Sequence, residues 1–369
     1  WSSDGSWSCN GKWPNNYWIR KNIRIMKNSN FPSISIVGAT GAVGKICLDI
    51  LNERDYPVEK INLFASSRSA GKKIIYGGSE IIVNEATKNS FEDSDVVFIS
   101  ADSSVSLNLA PSAVESGALV IDDGSAFRMK EDVPLVVPEV NESDINFHKG
   151  IISIPNCTTT PLVMALDRLR RLSKINRIQA TTYQAVSGSG SMAVSELHEQ
   201  TKNILNNEEI SKSVYPHQIA FSLIPQVDEF MPDGYTKEEH KMINETRKIL
   251  HDNNLKISAT CVRVPIYYCH SEVVSVDLED EINVNEIIEV FGSASGIKLI
   301  GDGLNEDYPT PSFVQGKDEI YIGRIRKDSS NQKGINFWIV SDNLRKGAAL
   351  NAIQIMDSSI KLGKIPKFR

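Results

Sequence analysis

No stretch of the sequence approaches the roughly 20 consecutive apolar residues that a membrane-spanning helix needs, so membrane insertion is not expected. Cysteine is scarce: five residues, at 9, 47, 157, 261 and 269, odd in number and widely scattered. Such spacing excludes a disulfide framework and a zinc site, and it suits a reducing compartment, hence a cytoplasmic protein. The six histidines are equally dispersed, and no metal site is expected. Positive charge is not in excess either. The 40 Lys and Arg against 46 Asp and Glu leave a net charge of −6. That sign argues against nucleic acid as a partner, so any phosphate handled here is small and held locally. With 41% hydrophobic and 23% charged residues, the 369-residue chain has an ordinary globular composition and room for two domains.

Residues 1–30 stand apart. Four of the five tryptophans (Trp1, Trp7, Trp13, Trp18) fall here among Ser, Asn and Gly, followed by Arg20, Lys21, Arg24 and Lys27. A basic, acid-poor leader has the composition of a targeting peptide, which would direct the protein to a plastid or another organelle. The absence of an apolar core, the poor amphipathicity and Met26 just before the first strand pattern favour translated flanking sequence instead. Disorder is expected over this leader on either reading.

Residues 33–37 form a short β-branched run, followed at once by Gly38-Ala39-Thr40-Gly41-Ala42-Val43-Gly44 and a helical run to residue 51. Strand, glycine turn and helix in that order suit a pyrophosphate: the glycines admit it to the backbone and the helix N-terminus supplies donors. The second strand, 61–65, ends in Ser66-Ser67-Arg68-Ser69, without the acid that usually binds the ribose hydroxyls of NAD. Hydroxyls with an arginine suit a 2′-phosphate, so NADP(H) is the expected cofactor; the alternative is a polar turn with a solvated Arg68. Strand patterns at 96–99 and 118–121, with a helix at 104–116 between them, predict a parallel sheet. Arg128, in the polar loop after the last of these strands, is either an anion clamp or a surface charge.

Cys157 follows a strand pattern at 151–154 and precedes a helical run at 162–172. A thiol there would lie over unpaired backbone N–H groups, which favour the reactive thiolate; the alternative is a small buried residue at a helix start. Three later segments favour a nucleophile. A strand pattern over 178–186 carries Gln184, whose amide could hold a reacting carbonyl, into a second glycine turn, Ser187-Gly188-Ser189-Gly190, and a helix at 192–205. A strand at 258–264 carries Arg263, suited to a carboxylate. Seven residues on, His270 could take a proton from a thiol and return it to a leaving group. Cys269 reads as a packing residue. In the helix at 236–251, opened by a Thr236/Glu239 capping box, Glu238 and Lys241 share a face, by spacing alone a surface ion pair worth ~0.5 kcal/mol. Late strands at 320–326 and 335–340 complete a mixed or antiparallel sheet. Asn343 opens a helix at 344–362 that returns to the first domain, either as its cap or near the nicotinamide.

Together these stretches resemble the aspartate-β-semialdehyde dehydrogenase family, in its compact Gram-positive-like branch. Residues 38–44, 66–72, 133–141, 155–158, 182–190, 259–272, 323–328 and 340–349 carry the resemblance. It implies an α/β fold: a Rossmann-type NADP-binding domain (31–156 with 343–369) and an α+β catalytic and dimerisation domain (157–342). It also implies reduction of aspartyl phosphate by NADPH with release of phosphate, in the route to lysine, threonine, methionine and isoleucine, by a homodimer or tetramer. In the implied site Cys157 is the nucleophile, His270 the acid/base and Gln184 the group that orients the thioester. Arg263 grips the substrate carboxylate and Glu238 its ammonium, with Asn156 beside them; Lys241 and Arg128 hold phosphate. Gly38, Thr40, Gly41, Ala42, Val43, Gly44, Ser66, Arg68, Ser69, Ser187, Gly188 and Asn343 bind the cofactor. The sequence departs from the family pattern at Thr158, Ser189, Asp123-Gly124 and Cys269, where the last would add sensitivity to oxidation. The alternatives are N-acetyl-γ-glutamyl-phosphate reductase, against which Asn156 and Thr158 speak; glyceraldehyde-3-phosphate dehydrogenase, which would want an acid near Arg68; and a non-catalytic NADPH-binding protein.

Overall fold

A computed structural model describes residues 31–301 and 306–368; the expected leader lies outside the described residues. Among them the strands form two sheets. The first runs in the order β3-β4-β2-β1-β5-β6-β7, built from β1 (Ser33–Val37), β2 (Lys60–Ala65), β3 (Lys73–Tyr76), β4 (Ser79–Glu85), β5 (Val96–Ile99), β6 (Leu119–Asp122) and β7 (Ile151–Ser153). All its pairings are parallel except the β3–β4 hairpin. β1, β5 and β6 are buried along their whole length, as strands covered on both faces must be. One face packs against α1 (Ala42–Glu53) and the C-terminal α7 (Leu350–Lys361), whose Leu350, Ile353 and Met356 join Ile36, Leu63 and Ile121 in one core. The other face packs on Leu109, Ala110 and Ala113 of α2 (Ser103–Glu115). The C-terminal helix thus returns to the first sheet.

The second sheet runs β11-β12-β13-β10-β8-β9, from β8 (Ile175–Gln184), β9 (Ile257–Arg263), β10 (His270–Leu278), β11 (Ile297–Leu299), β12 (Ile320–Lys327) and β13 (Gly334–Ser341). It is mixed, because β8–β9 and β11–β12 are parallel. Along β10 the inward Val274, Val276 and Leu278 meet α3 (Thr159–Leu169), α5 (Lys237–Leu250) and α6 (Val284–Gly292) in a single core. On the opposite face Thr181, Tyr183, Val273, Ser275, Asn336 and Trp338 stay half-exposed. α4 (Ser191–Leu205) packs on a separate small cluster with Ile219 and Ile224.

Two helices differ from expectation. α3 begins at Thr159, three residues early, with Pro161 inside its first turn, where a missing N–H costs nothing. The last helix is not uniform: Arg345–Ala349 is a π-helical turn, and α7 proper starts at Leu350. The chain crosses between the sheets at two adjacent places, 154–158 and 342–345, and both border the site.

Candidate active site

The turn after β1 is clipped to the end of β2, since Gly38 N and Ala39 N both donate to Phe64 O, at 2.9 and 3.1 Å. Gly38 has φ +86°, and a Cβ there would sit 2.0 Å from Ser100 O; one on Gly44 would sit 2.3 Å from Gly38 O. Gly41 starts α1 with no side-chain cap, so the first N–H groups of that helix are open to an anion. Ser66 and Arg68 are exposed and Ser69 half-exposed at the C-terminal end of β2, which lies beside this turn. A bare glycine cradle with hydroxyls and a guanidinium next to it fits NADP(H).

The Ser187–Gly188 turn is tied to the second crossing. Asn343 Nδ2 donates to Ser187 Oγ at 3.0 Å, and Cys269 N donates to Asn343 Oδ1 at 3.0 Å. It is Asp342 Oδ1 that accepts from Leu344 N at 3.0 Å, while the Asn343 side chain is taken up by Ser187 and Cys269, so the capping alternative for Asn343 falls. Cys269 has φ +72° and is fully buried, a conformation and a space that suit the small Gly or Ala of the family pattern, Gly above all. Its burial also removes the expected exposure to oxidants. A Cβ on Gly188 would lie 3.1 Å from Arg263 Nη1 and 3.2 Å from His270 Nε2. The turn therefore backs directly onto both side chains.

Cys157 lies one residue before Thr158, the N-cap of α3. Asn156 holds the loop: its N donates to Glu245 Oε2 at 2.7 Å, its Nδ2 to Glu238 Oε1 at 3.0 Å, and its Oδ1 accepts from Thr158 N at 2.9 Å. Gln184 Nε2 donates to the same Glu238 Oε1 at 3.0 Å, while Thr182 Oγ1 donates to Gln184 Oε1 at 2.9 Å. Glu238 Oε2 meets Lys241 Nζ at 3.1 Å, and Lys241 also reaches Asp228 at 2.7 Å. The surface ion pair expected from spacing is overturned, because Glu238 is 5% exposed and turned toward the cysteine loop. Burial works against its charge, but Lys241 and the Gln184 and Asn156 amides hold it down to about 2.

Arg128 is buried as well, which removes the surface-charge alternative. Its Nη1 meets Glu245 Oε1 at 3.1 Å and its Nη2 donates to Asp123 O at 2.8 Å. Arg263 Nη1 donates to Ala185 O at 2.7 Å, leaving Nε buried without a partner. Ala185 N donates to His270 Nδ1 at 3.0 Å, so the neutral ring carries its proton on Nε2, which is also buried without a partner. Burial first, then Arg263, pushes the imidazole down to about 3, against the pull of Glu238.

A ready thiolate is not what the site holds at rest. Burial and the Glu238 carboxylate push the Cys157 thiol up to about 12, outweighing Arg128 and Arg263. At the helix start, Thr158 N is already engaged by Asn156 Oδ1. Cys157 and His270 nevertheless share Glu238 and Arg263 as electrostatic neighbours, so the structure brings Cys157, Asn156, Gln184, Glu238, Arg263 and His270 together. Sequence reasoning missed Thr182 and Glu245. Glu245 lies seven residues beyond Glu238, two turns along one face of α5, a spacing that could have revealed it.

Asp123 carries a pH signature of its own. Burial and Asp122 push its carboxyl up to about 7, against Arg128 and Ser100. The folded state thus favours the protonated form, a contribution present at acid pH and lost as pH rises through 7. Asp123→Asn should raise the melting temperature at pH 8, with the gain shrinking toward zero at pH 4. Equal shifts in melting curves at both pH values would rule out the buried-carboxyl account.

A dinucleotide cradle together with a half-buried cysteine and a buried histidine defines an NADP-dependent aldehyde oxidoreductase. Residues 33–148 match the semialdehyde dehydrogenase NAD binding domain, and residues 166–346 the semialdehyde dehydrogenase dimerisation domain. The chain is 48% identical over 336 residues to aspartate-semialdehyde dehydrogenase of Aquifex aeolicus, covering 90% of this chain and 99% of that one. It is 47% identical over 340 residues to the Bacillus subtilis protein of the same name, covering 90% and 98%. Among solved structures it is similar to aspartate semialdehyde dehydrogenase II from Vibrio cholerae complexed with ASA, with a TM-score of 0.88, 41% identity and coverage of 90% and 99%. The Candida albicans enzyme with NADP gives a TM-score of 0.71 at 26% identity, covering 91% and 100%. The chain belongs to the aspartate-semialdehyde dehydrogenase family.

Proposed function

We propose that this protein reduces L-aspartyl-4-phosphate to L-aspartate 4-semialdehyde with NADPH, releasing phosphate, in the biosynthesis of lysine, threonine, methionine and isoleucine. The observation that carries the substrate is the pairing of a buried anion, Glu238, with a buried cation, Arg263, around Cys157 and His270. An amino acid with a free ammonium and a free carboxylate matches that pair. Arg263 Nε is a donor left for the carboxylate, and Glu238 releases Lys241 to bind the ammonium.

Cys157 Sγ attacks the acyl carbon and the phosphate leaves, giving a thioester; covalent catalysis divides one hard displacement into two easier ones. The expectation that His270 takes the thiol proton does not suit this pose, because Nε2 already carries one. The departing phosphate is the base at hand, and Lys241 and Arg128 are the cations to receive it. NADPH, held by Gly38, Thr40, Gly41, Ala42, Val43 and Gly44 with Ser66, Arg68 and Ser69 and faced by Ser187, Gly188 and Asn343, supplies hydride to the acyl carbon when bound. His270 Nε2–H donates to the oxygen as negative charge gathers on it. That hydrogen bond holds the oxyanion until it collapses to aldehyde and expels Cys157 Sγ, which regains its proton from water. Gln184, fixed by Thr182 and Glu238, keeps the acceptor cluster in register.

The protein is a homodimer on this reading, with tetramer formation as a further step, and a cytoplasmic location goes with it unless residues 1–25 are a targeting leader. Among the described residues no helix is long and apolar enough to cross a membrane. The decisive assay is phosphate-dependent NADPH formation from aspartate semialdehyde beside N-acetylglutamate semialdehyde. Turnover is expected with the first alone, since an acylated nitrogen gives Glu238 nothing to bind. Preference for the second would replace this assignment with N-acetyl-γ-glutamyl-phosphate reductase.

A further inference from the structure

The π-helical turn Arg345–Ala349 carries Gly347 against the reacting cysteine. A Cβ on Gly347 would lie 2.8 Å from Cys157 Cβ and 3.2 Å from Cys157 Cα. The glycine does not serve a left-handed backbone, because Gly347 is absent from the positive-φ residues. What it supplies is space. A π-turn inserts one residue into a helix, turning side chains off the regular period, and such turns recur at functional sites. Here Ala349 N reaches back to Leu344 O at 3.1 Å to close the wide turn.

Neither surface of this contact is free to retreat. On the turn's side, Lys346 is 1% exposed, and its Nζ binds Glu139 at 2.7 Å, Asn351 at 3.0 Å and Gln354 at 2.6 Å. Arg345 bridges Glu53 of α1 and Asp318, at 2.8 Å each. On the cysteine's side, Asn156 is tied to Glu245 and Glu238, and Thr158 Oγ1 donates to Asn156 Oδ1 at 2.6 Å. Two clamped segments therefore meet at one glycine hydrogen. The nucleophile's Cα and Cβ are located by that contact, and the direction of Sγ follows from them.

We infer that Gly347 is a positioning residue for Cys157: the clamped π-turn is the seat against which the nucleophile is held in line with the reacting carbon and His270. This rests on Cys157 being the nucleophile. A methyl group at 347 must displace the cysteine, and a misplacement of about 1 Å can cost on the order of 100-fold in rate. Substrate contacts lie on Arg263 and Glu238 and most cofactor contacts on the β1–α1 turn, while Asn343 is held from the other side by Ser187 and Cys269, so binding should survive.

In the Gly347→Ala protein, kcat for phosphate-dependent NADPH formation should fall about 10- to 100-fold, with KM for aspartate semialdehyde and the NADP dissociation constant within about two-fold. The rate of Cys157 alkylation by iodoacetamide, followed against pH, should shift in profile; a purely structural glycine would leave it at the wild-type curve. Wild-type kcat, or a rise in KM alone, overturns the inference, as does an alkylation profile superimposable on wild type. Should Gly347→Ala not fold, adding Cys157→Gly removes the opposing Cβ. Recovery of folding in the double variant supports the contact and absence of recovery refutes it. The alkylation arm needs no turnover, so it separates this inference from the choice of substrate: wild-type protein inactive on aspartate semialdehyde but altered in Cys157 alkylation by Gly347→Ala would sink only the latter.

Discussion

Cys157→Ala should abolish phosphate-dependent NADPH formation, by at least about four orders of magnitude, as deletion of a covalent nucleophile does elsewhere. NADP affinity, read by titration of nucleotide fluorescence, should stay at the wild-type value. The two outcomes separate because the glycine turn and the Ser66–Ser69 hydroxyls are built on β1, β2 and α1, whereas Cys157 stands at the start of α3. Retained turnover would show that the sulfur is a packing atom. Wild-type protein that binds NADP and never turns over would instead restore the reading of a nucleotide-binding protein without chemistry. The high proton affinity of the resting thiol makes the comparison with Cys157→Ser informative: an alkoxide is harder still to form in this pocket, so serine should rescue almost nothing.

His270→Asn is the second large effect. Its amide oxygen can still accept from Ala185 N, but nothing replaces Nε2. Loss of one preorganised donor to a developing oxyanion costs about 10²- to 10³-fold, and the loss should appear in kcat with little change in KM. A variant within a few-fold of wild type, or one impaired only in KM, would show that His270 does not hold the oxyanion. The pH profile gives an independent reading. With burial and Arg263 holding the imidazole down to about 3, the ring is neutral throughout the working range. kcat/KM should show no break near 6.5, where an ordinary histidine titrates.

The first sheet was legible because its strands are short unbroken apolar runs and its glycine turn lies directly between a strand and a helix. The Thr236/Glu239 capping box was equally readable and is present with both of its hydrogen bonds. The β3–β4 hairpin escaped notice, although Gly77-Gly78 forms its two-residue loop with φ of +56° and +79°, and such a pair between β-forming residues is a hairpin signal. α6 was missed too, despite a capping box at Asn283 and Glu286.

What sequence could not supply was the environment of the charged residues. Lys241 follows Glu238 by three positions, but only α5 packing beside the cysteine loop makes that pair an interior one. Arg128 finds Glu245 across 117 positions of chain, so its burial has no local signature. The thiol illustrates the limit most clearly. A position next to a helix start suggested easy ionisation, and the opposite outcome is set by burial and by Glu238, both consequences of segments distant in sequence. Gly347 was within a matching stretch, but its contact with Cys157 depends on a π-turn that no periodicity announces.

The two crossings between the sheets, at 154–158 and 342–345, have a mechanical consequence. Where two lobes are joined by neighbouring tethers, any rotation of one on the other turns about the line through them. Cys157 lies in the first tether and Gly347 just beyond the second, touching each other. Points near an axis of rotation travel least. The reacting sulfur would keep its place while the walls around it swing.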